Sequence, residues 1–551
     1  QGRPFWLKSS PIAMWVAPRR LQRCLRSVCY ACLLNVALVE PGAQQAHCDD
    51  TEGTCAADGG SRGDAFGSES AEWLAWEPKT ISVVLPCANE AGFALKTIVA
   101  VHASMPAEAL KEIIVVDDGS SPRLGKKHIT AAVRKRYNVK LLRNAETQGL
   151  ITAKFMGGAA ATGDVIVFFD CHVAPQDGWY KVFLQKLAPN YKRIVVPRIT
   201  DLDIDTWAER GVGGGGLSKC YMTWDADFKW FDSDEEFAPI LSGGLLGISR
   251  RWWNETGGYD EQMRGWGGEN VDQSLRTWLC GGEIVTAPDA RVAHMWRVQH
   301  DPRTRAKYTA DPRDAFVNRM RAALAWMGDF AEKLDDFPLG RMRKAAGNLE
   351  NILTIRDRLG CRPFAWFLHR FRDVYVNGGL IPKRTFLIQN KGNDLCLAYL
   401  GGAGTSQSGS GEVKLKACDR EDPRQRWHAA NRNPAEGGRC CSAMRAWNTD
   451  QCMQDTRSGV LHTGVCDISG LAAGRSQLWS LGKKSLLVRE PFGRRVCLGA
   501  DSDAGLIEMP CEEAGKNDLL WAKLGVTVPV ETRLFSTALE ANPEWKSVNA
   551  T

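Results

Sequence analysis

The sequence predicts two folded parts: an α/β domain on a mainly parallel, covered sheet, followed by an all-β trefoil. Three observations predict them. Short apolar runs alternate with helical stretches between residues 81 and 197. A further helical stretch begins at 312. From 385 to 523 a cysteine pair followed by a tryptophan occurs three times.

Residues 1–75 mix basic, cysteine-containing and Gly/Ser/Asp-rich pieces, and "DGGSRGDAFGSES" (58–70) reads as a flexible linker. After it, "ISVVLP" (81–86), "EIIVVDD" (112–118), "VKLLR" (139–143), "DVIVFFD" (164–170) and "RIVVP" (193–197) read as buried strands. "AGFALKTIVAVHAS" (91–104) and "GLITAKFMGGAAAT" (149–162) read as helices between them. Strands alternating with helices build a parallel sheet with both faces covered. "PRDAFVNRMRAALAWMGDFAEKL" (312–334) places aromatic and aliphatic residues at three- and four-residue spacing and reads as one helix closing on that sheet.

The repeats run Cys396…Cys418…Trp427, Cys452…Cys466…Trp479 and Cys497…Cys511…Trp521. Units of this kind bury their apolar faces only by closing on one another, and three-fold β-trefoil closure does so. The expected domains are 1–75, a cysteine-containing and linker region; 76–375, the α/β domain; 376–384, a linker; 385–523, the trefoil; and 524–551, a tail.

At 551 residues the chain exceeds one ordinary domain, and 44% hydrophobic with 24% charged residues is globular composition. The net charge of +6, from 70 basic and 64 acidic residues without a long Lys/Arg block, gives no footprint for nucleic acid. Of 18 cysteines, eight fall between Cys396 and Cys511, which suits an oxidising compartment. No stretch reaches the roughly 18 to 20 apolar residues of a membrane span. Membrane attachment is therefore expected only through an anchor not present in this chain.

Two strands end in acids. Asp117 and Asp118 close "IIVVDDG", where a ligand-binding role and a loop or helix-capping role are both open. "VIVFFDCH" (165–172) ends in Asp170 and His172. At i and i+2 of an extended segment both side chains point the same way, so an oxygen and a nitrogen can meet one ion. That pair suits Mn2+, which would neutralise a leaving diphosphate. The alternative is a strand that ends in a polar loop.

Beyond these residues the chain resembles the polypeptide N-acetylgalactosaminyltransferases. The resemblance lies in "NEA" (89–91), "VDDGS" (116–120), "FFDCH" (168–172), "SGGLLGISRRWWNETGGYDEQM" (242–263), "WGGEN" (266–270), "CGG" (280–282), "VAHMWR" (292–297) and "NRMRAALAWM" (318–327). It spans about residues 78 to 523 and implies a GT-A (Rossmann-like) catalytic domain followed by a ricin B-type lectin trefoil. It further implies retaining, Mn2+-dependent transfer of N-acetylgalactosamine (GalNAc) from UDP-GalNAc to Ser or Thr of polypeptide or glycopeptide acceptors in the Golgi lumen, with no catalytic base required.

The same resemblance gives the metal to Asp170, His172 and His294. It sets Asp118 at the uracil, Trp266 at the nucleotide, and Arg297 and His300 on the diphosphate. Lys154, Gly244 and Glu269 would hold the sugar, with Asn270 supporting that turn, and Trp224 and Trp296 would face the acceptor. The expected catalytic set is Asp170, His172, Glu269 and Arg297. Core roles for Trp266 and Trp296, and a helix-start role for Glu269, stay open.

The chain also departs from the family. Thr147 and Lys154 stand where relatives place arginines, Pro288 stands where they place a bridged cysteine, and "CANEA" replaces a His-Asn-Glu-Ala pattern; a Cys280–Cys361 bridge is implied as retained. In the trefoil, Ala398, Gln454 and Gly499 occupy the positions of sugar-binding acids, which counts against the GalNAc binding that the resemblance implies there. Two rival readings remain: a silent glycopeptide-binding lectin, and a glycoside hydrolase carrying a carbohydrate-binding trefoil.

Overall fold

The computed structural model describes residues 76–546 apart from 211–218, 232, 234, 299, 308–310, 402–410, 430–443, 458–459, 467–476, 478, 483, 490–494, 501–504 and 514–518. The expected N-terminal region 1–75 lies outside the described residues.

Strand β1 (Ile81–Cys87) is buried at all seven positions, as a strand covered on both faces must be. Helix α1 (Gly92–Ala103) leads to β2 (Leu110–Asp118) and then β3 (Val139–Asn144), each added parallel on one side. Helix α2 (Leu150–Ala159) carries the chain back across β1 to β4 (Val165–Phe168), parallel on its other side. The strand order thus reverses at β1, and the crevice beyond the carboxyl ends of β1 and β4 is where such sheets bind ligands.

The sheet continues through β5 (Val173–Pro175) and β6 (Arg193–Asp203). A small antiparallel sheet follows, made of β7 (Lys219–Met222), β8 (Phe228–Trp230) and β9 (Ile240–Leu241). Then come β10 (Leu246–Ser249), α3 (Glu269–Leu279), β11 (Glu283–His294) and α4 (Pro312–Trp326). The main path is β3-β2-β1-β4-β10-β6-β11-β5. The expected parallel sheet is interrupted where β10 runs antiparallel between β4 and β6. Strand β5 also pairs antiparallel, with β11.

Helix α4 starts under an Asp311 cap, with Pro312 in its first turn. It ends at Trp326 rather than running on to 334: Gly328 takes φ +54°, and a 3-10 helix, Gly328–Asp336, follows. The bridge Cys280–Cys361 is present, and so is a bond the sequence reading did not foresee, Cys87–Cys171.

The C-terminal part is antiparallel throughout its described pairings, and each unit carries its own disulfide: Cys396–Cys418, Cys452–Cys466 and Cys497–Cys511. Trp427, Trp479 and Trp521 share one core. Their indole N–H groups donate to the carbonyls of Leu397, Gln454 and Leu498, one or two residues after each unit's first cysteine. Gln425 and Gln477, two residues before their tryptophans, each donate to the carbonyl preceding the second cysteine. The third unit has Leu519 there. Three copies of one packing solution make this a β-trefoil.

Its last strand, Trp521–Thr527, pairs with Thr385–Asn390 and runs past the expected boundary at 523. Helix α5 (Val530–Ala541) then turns back onto the α/β part, burying Glu531 and Phe535, so the expected tail is partly ordered. Lys333 meets Glu531 at 3.1 Å with both side chains buried, and Lys229 meets Asp450 at 3.5 Å.

Candidate active site

A cavity of about 360 Å³ opens beyond β1 and β4, within the range of small-ligand sites. Its walls include Asp118, Thr147, Asp170, His172, Gly244, Trp266, Glu269, His294, Trp296 and Arg297, all singled out from sequence. The sheet delivers them. Strand β4 stops at Phe168, so Asp170 and His172 lie on a turn beyond the strand rather than on it. Antiparallel pairing of β5 with β11 sets Val173 opposite His294 and brings that imidazole over the same turn.

The His294 Nε2 atom lies 3.1 Å from Asp170 Oδ2, and the two imidazole rings are 5.0 Å apart. One ligand atom from each of Asp170, His172 and His294 falls within 4.8 Å of the others, one oxygen and two nitrogens. Burial would raise the Asp170 carboxyl, but the His294 hydrogen bond and the charges of both histidines and Lys154 hold it well below the usual carboxylate range. Burial lowers His294, against the pull of Asp170. An ionised carboxylate beside a neutral imidazole is the state a cation requires. These three donors, one oxygen and two nitrogens, therefore fit Mn2+.

Glu90, within "NEA" (89–91), is a site residue that the sequence alone does not reveal. It is 6% exposed, lines the cavity, bonds to Arg297 and lies 3.5 Å from His172 Nδ1. Burial raises its carboxyl, yet His172 and Arg297 bring it below its usual value. Arg297 also reaches His172 Nδ1 at 3.2 Å. His300 is exposed and does not line the cavity.

Around the cavity's far wall, Asn270 donates to the Leu241 carbonyl and fixes the turn that holds Gly244. A Cβ at Gly244 would sit 3.1 Å from Asp170 Oδ2, so a side chain there would press on the carboxylate. Lys154 is fully buried, is not among the cavity-lining residues, and donates to the Gly243 carbonyl. Its side chain holds the Gly243–Gly244 turn. Glu269 opens α3 and faces the cavity; burial raises its carboxyl despite Lys154.

Asp118 accepts from Asn144, Gln148 N and Gly149 N, so its carboxylate holds the 144–149 turn as well as bordering the cavity. Trp266 is 46% exposed on the cavity wall, which disposes of a core role. Its turn is anchored by Asn318, whose side-chain amide donates to the carbonyls of Arg264 and Gly267. Trp296 is 47% exposed at the rim, with its indole N–H on Asp201.

Trp224 is misplaced by the sequence reading. It is 8% exposed, stacks on Phe330, donates to the Leu380 carbonyl and lies outside this cavity. Turn residues 223–226 point it inward, beneath the trefoil. A third exposed tryptophan on the cavity wall, beside Trp266 and Trp296, is Trp230, at the end of β8 and 51% exposed. Its position, flanked by Lys229 and Phe231 in an irregular hairpin, gave no periodic signal of exposure.

Residues 82–246 match glycosyl transferase family 2, and residues 234–301 match the N-terminal domain of galactosyltransferase. Polypeptide N-acetylgalactosaminyltransferase 3 of Mus musculus is 30% identical over 457 residues, covering 79% of this chain and 69% of that protein. Polypeptide N-acetylgalactosaminyltransferase 6 of Homo sapiens is 32% identical over 337 residues, covering 58% of this chain and 54% of that protein. Among solved structures, GalNAc-T7 with UDP, GalNAc and Mn2+ superposes with a TM-score of 0.52 at 22% identity, covering 82% of this chain and 83% of that chain, a likeness of fold.

Proposed function

The chain belongs to the polypeptide N-acetylgalactosaminyltransferase family, and from that premise we propose that it transfers GalNAc from UDP-GalNAc to Ser or Thr hydroxyls of polypeptides, with retention and in a Mn2+-dependent reaction. The observation that carries the metal centre is the convergence of Asp170, His172 and His294 at the strand-order switch of a GT-A sheet. In this reading those three side chains hold the ion. Bound manganese supplies Lewis-acid neutralisation of the departing diphosphate.

The chain's own residues do the rest. Trp266 presents an exposed ring face at the nucleotide end, with Asp118 bordering it. Arg297 adds positive charge to the diphosphate, which requires it to exchange Glu90 for phosphate oxygens. Glu269 receives the sugar from the helix start, and Lys154 and Asn270 hold Gly243 and Gly244 against it. Trp230 and Trp296 provide the apolar rim for the acceptor backbone. On the retaining route implied for this family, the leaving phosphate accepts the hydroxyl proton, so no separate base is needed.

Five described disulfides support passage through the secretory pathway and a Golgi-lumen site of action. No helix among the described residues is long and apolar enough to cross a membrane.

Mass spectrometry of naked and GalNAc-bearing Ser/Thr peptides incubated with UDP-GalNAc and Mn2+ tests the reading. One N-acetylhexosamine is expected per modified hydroxyl, and none on peptides with Ser and Thr replaced by Ala. A chain that leaves every peptide unmodified while retaining glycopeptides on a column would be a lectin instead.

A further inference from the structure

The turn that bears Asp170 and His172 is fastened from beneath by a covalent bond. Between β4 and β5 the side chains alternate: Phe169 and Cys171 are buried in the core at 0% and 1% exposure, while Asp170 and His172 face the cavity. Cys171 is bonded to Cys87, the last residue of β1, with their Cα atoms 5.6 Å apart. The β1–β4 ladder ends at the pair Val84–Phe168, and one more bond, Phe169 N to the Val84 carbonyl, extends it. Past that point the ladder offers nothing to hold residues 170–172. The disulfide takes its place, assisted by Val173 N on Thr97 and Met295 N on the His172 carbonyl.

Three residues after Cys87 stands Glu90, whose carboxylate lies 3.5 Å from His172 Nδ1. Arg297 bonds to this carboxylate and reaches the same imidazole nitrogen at 3.2 Å, so Glu90 holds the arginine beside the histidine. The bond thus joins two short segments, "CANE" and "DCH", into one unit that contains two of the three metal donors and a buried carboxylate beside one of them. Ligands held in place before the ion arrives lose less freedom when it binds.

We propose that the Cys87–Cys171 disulfide is a positioning element of the metal centre, setting Asp170 and His172 at ligand spacing in the metal-free chain. This rests on the metal assignment made above. Cys87 and Cys171 touch neither metal nor substrate; they act through the turn. A second bond of the α/β part, Cys280–Cys361, lies elsewhere in the fold and holds none of the three metal donors. That second bond is a matched control, because the sequence separations are 84 and 81 residues and the constraint on the unfolded chain is nearly equal.

The experiment titrates Mn2+ into the full chain in the presence of UDP, following free Mn2+ by its electron paramagnetic resonance signal. The Cys87→Ala/Cys171→Ala variant is expected to bind Mn2+ about tenfold more weakly, the scale on which supporting contacts act on metal sites. Its transfer rate should return to near the unaltered value at saturating Mn2+. The Cys280→Ala/Cys361→Ala variant should lose comparable thermal stability with its Mn2+ affinity unchanged. If the alanine pair does not fold, judged by circular dichroism, Cys87→Val/Cys171→Ala refills the core volume and takes its place. Equal Mn2+ shifts in the two bond-deleted variants, or none in either, would overturn the inference while leaving the metal centre standing. Absence of Mn2+ binding by the unaltered chain would remove the metal assignment and this inference together.

Discussion

Asp170 is the residue on which the site's charge balance turns. Asp170→Asn keeps the size of the side chain and its contact with His294 but removes the anion, so transfer should fall about a hundredfold or more while the melting temperature changes little. Activity at fixed Mn2+ together with a thermal melt checks both halves. A sharper contrast separates two tryptophans. Trp230→Ala removes an exposed ring from the cavity rim and should raise the peptide KM about tenfold, the size of an interface anchor, with UDP-GalNAc binding unaffected. Trp224→Ala empties a buried, stacked and hydrogen-bonded position and should cost about 3 to 5 kcal/mol of stability, seen as a lowered melting temperature. The residue-scale errors of the sequence reading have the same origin. Trp224 sits in the turn between β7 and β8 and Trp230 ends the three-residue β8, stretches too short for a period of two or of 3.6 to say which side faces solvent. Glu90 was passed over because a lone acid after a strand has no partner visible in sequence; His172 and Arg297 lie far along the chain and reach it only in the fold.

At the scale of elements, strand ends were readable and their continuations were not. The apolar runs of β1, β2, β4 and β6 are rich in β-branched residues and largely buried, so their alternation with α1 and α2 shows directly in the residues, whereas β3, which also reads as a buried strand, is buried only at Val139. Strand β10 has four residues and lies antiparallel between β4 and β6, and nothing in "LGIS" marks its direction. The disulfide partners Cys87 and Cys171 were likewise unpaired in sequence, because connectivity follows from which strands are neighbours. The Trp266 turn shows how an element supports the site. Asn318 of α4 ties down Arg264 and Gly267, while Gly268, at φ +88°, passes so close to α4 that a Cβ would meet Arg319 N at 2.7 Å. Asn318→Ala should therefore loosen Trp266 and raise the UDP-GalNAc KM several-fold, with the acceptor KM little changed. Donor and acceptor titrations of that variant distinguish this from a general loss of activity.

Across the whole molecule, the trefoil repeats were the most legible feature, since three cysteine pairs and three tryptophans carry the symmetry in the chain itself. How the trefoil meets the α/β part was not legible, because polar pairs far apart in sequence join them: Lys229 with Asp450, and Arg445 on the Gly378 carbonyl. His428 is buried beside them. Burial, with Arg445 and Lys333 nearby, holds its pKa well below the usual histidine value of 6.5. The sign follows: the unfolded chain takes up this proton below about pH 6.5 and the folded chain does not, so stability is full above that value and declines as pH falls beneath it. Thermal melts from pH 7.5 to 5 should show that decline, and His428→Gln, which cannot take a proton, should flatten it. Dependence of equal slope in the variant would remove His428 as the cause.

The central claim is that Asp170, His172 and His294 form the metal centre of a GalNAc transferase, and one measurement meets it directly. The rate of GalNAc transfer to a Ser/Thr peptide is followed with Mn2+, after chelation, and after Mn2+ is restored, in the unaltered chain and in His294→Ala. The account predicts transfer that stops on chelation and recovers with Mn2+ in the unaltered chain, and little transfer at any Mn2+ concentration in the variant. Transfer that continues undiminished in chelator, or a His294→Ala variant with an unchanged rate, would contradict it.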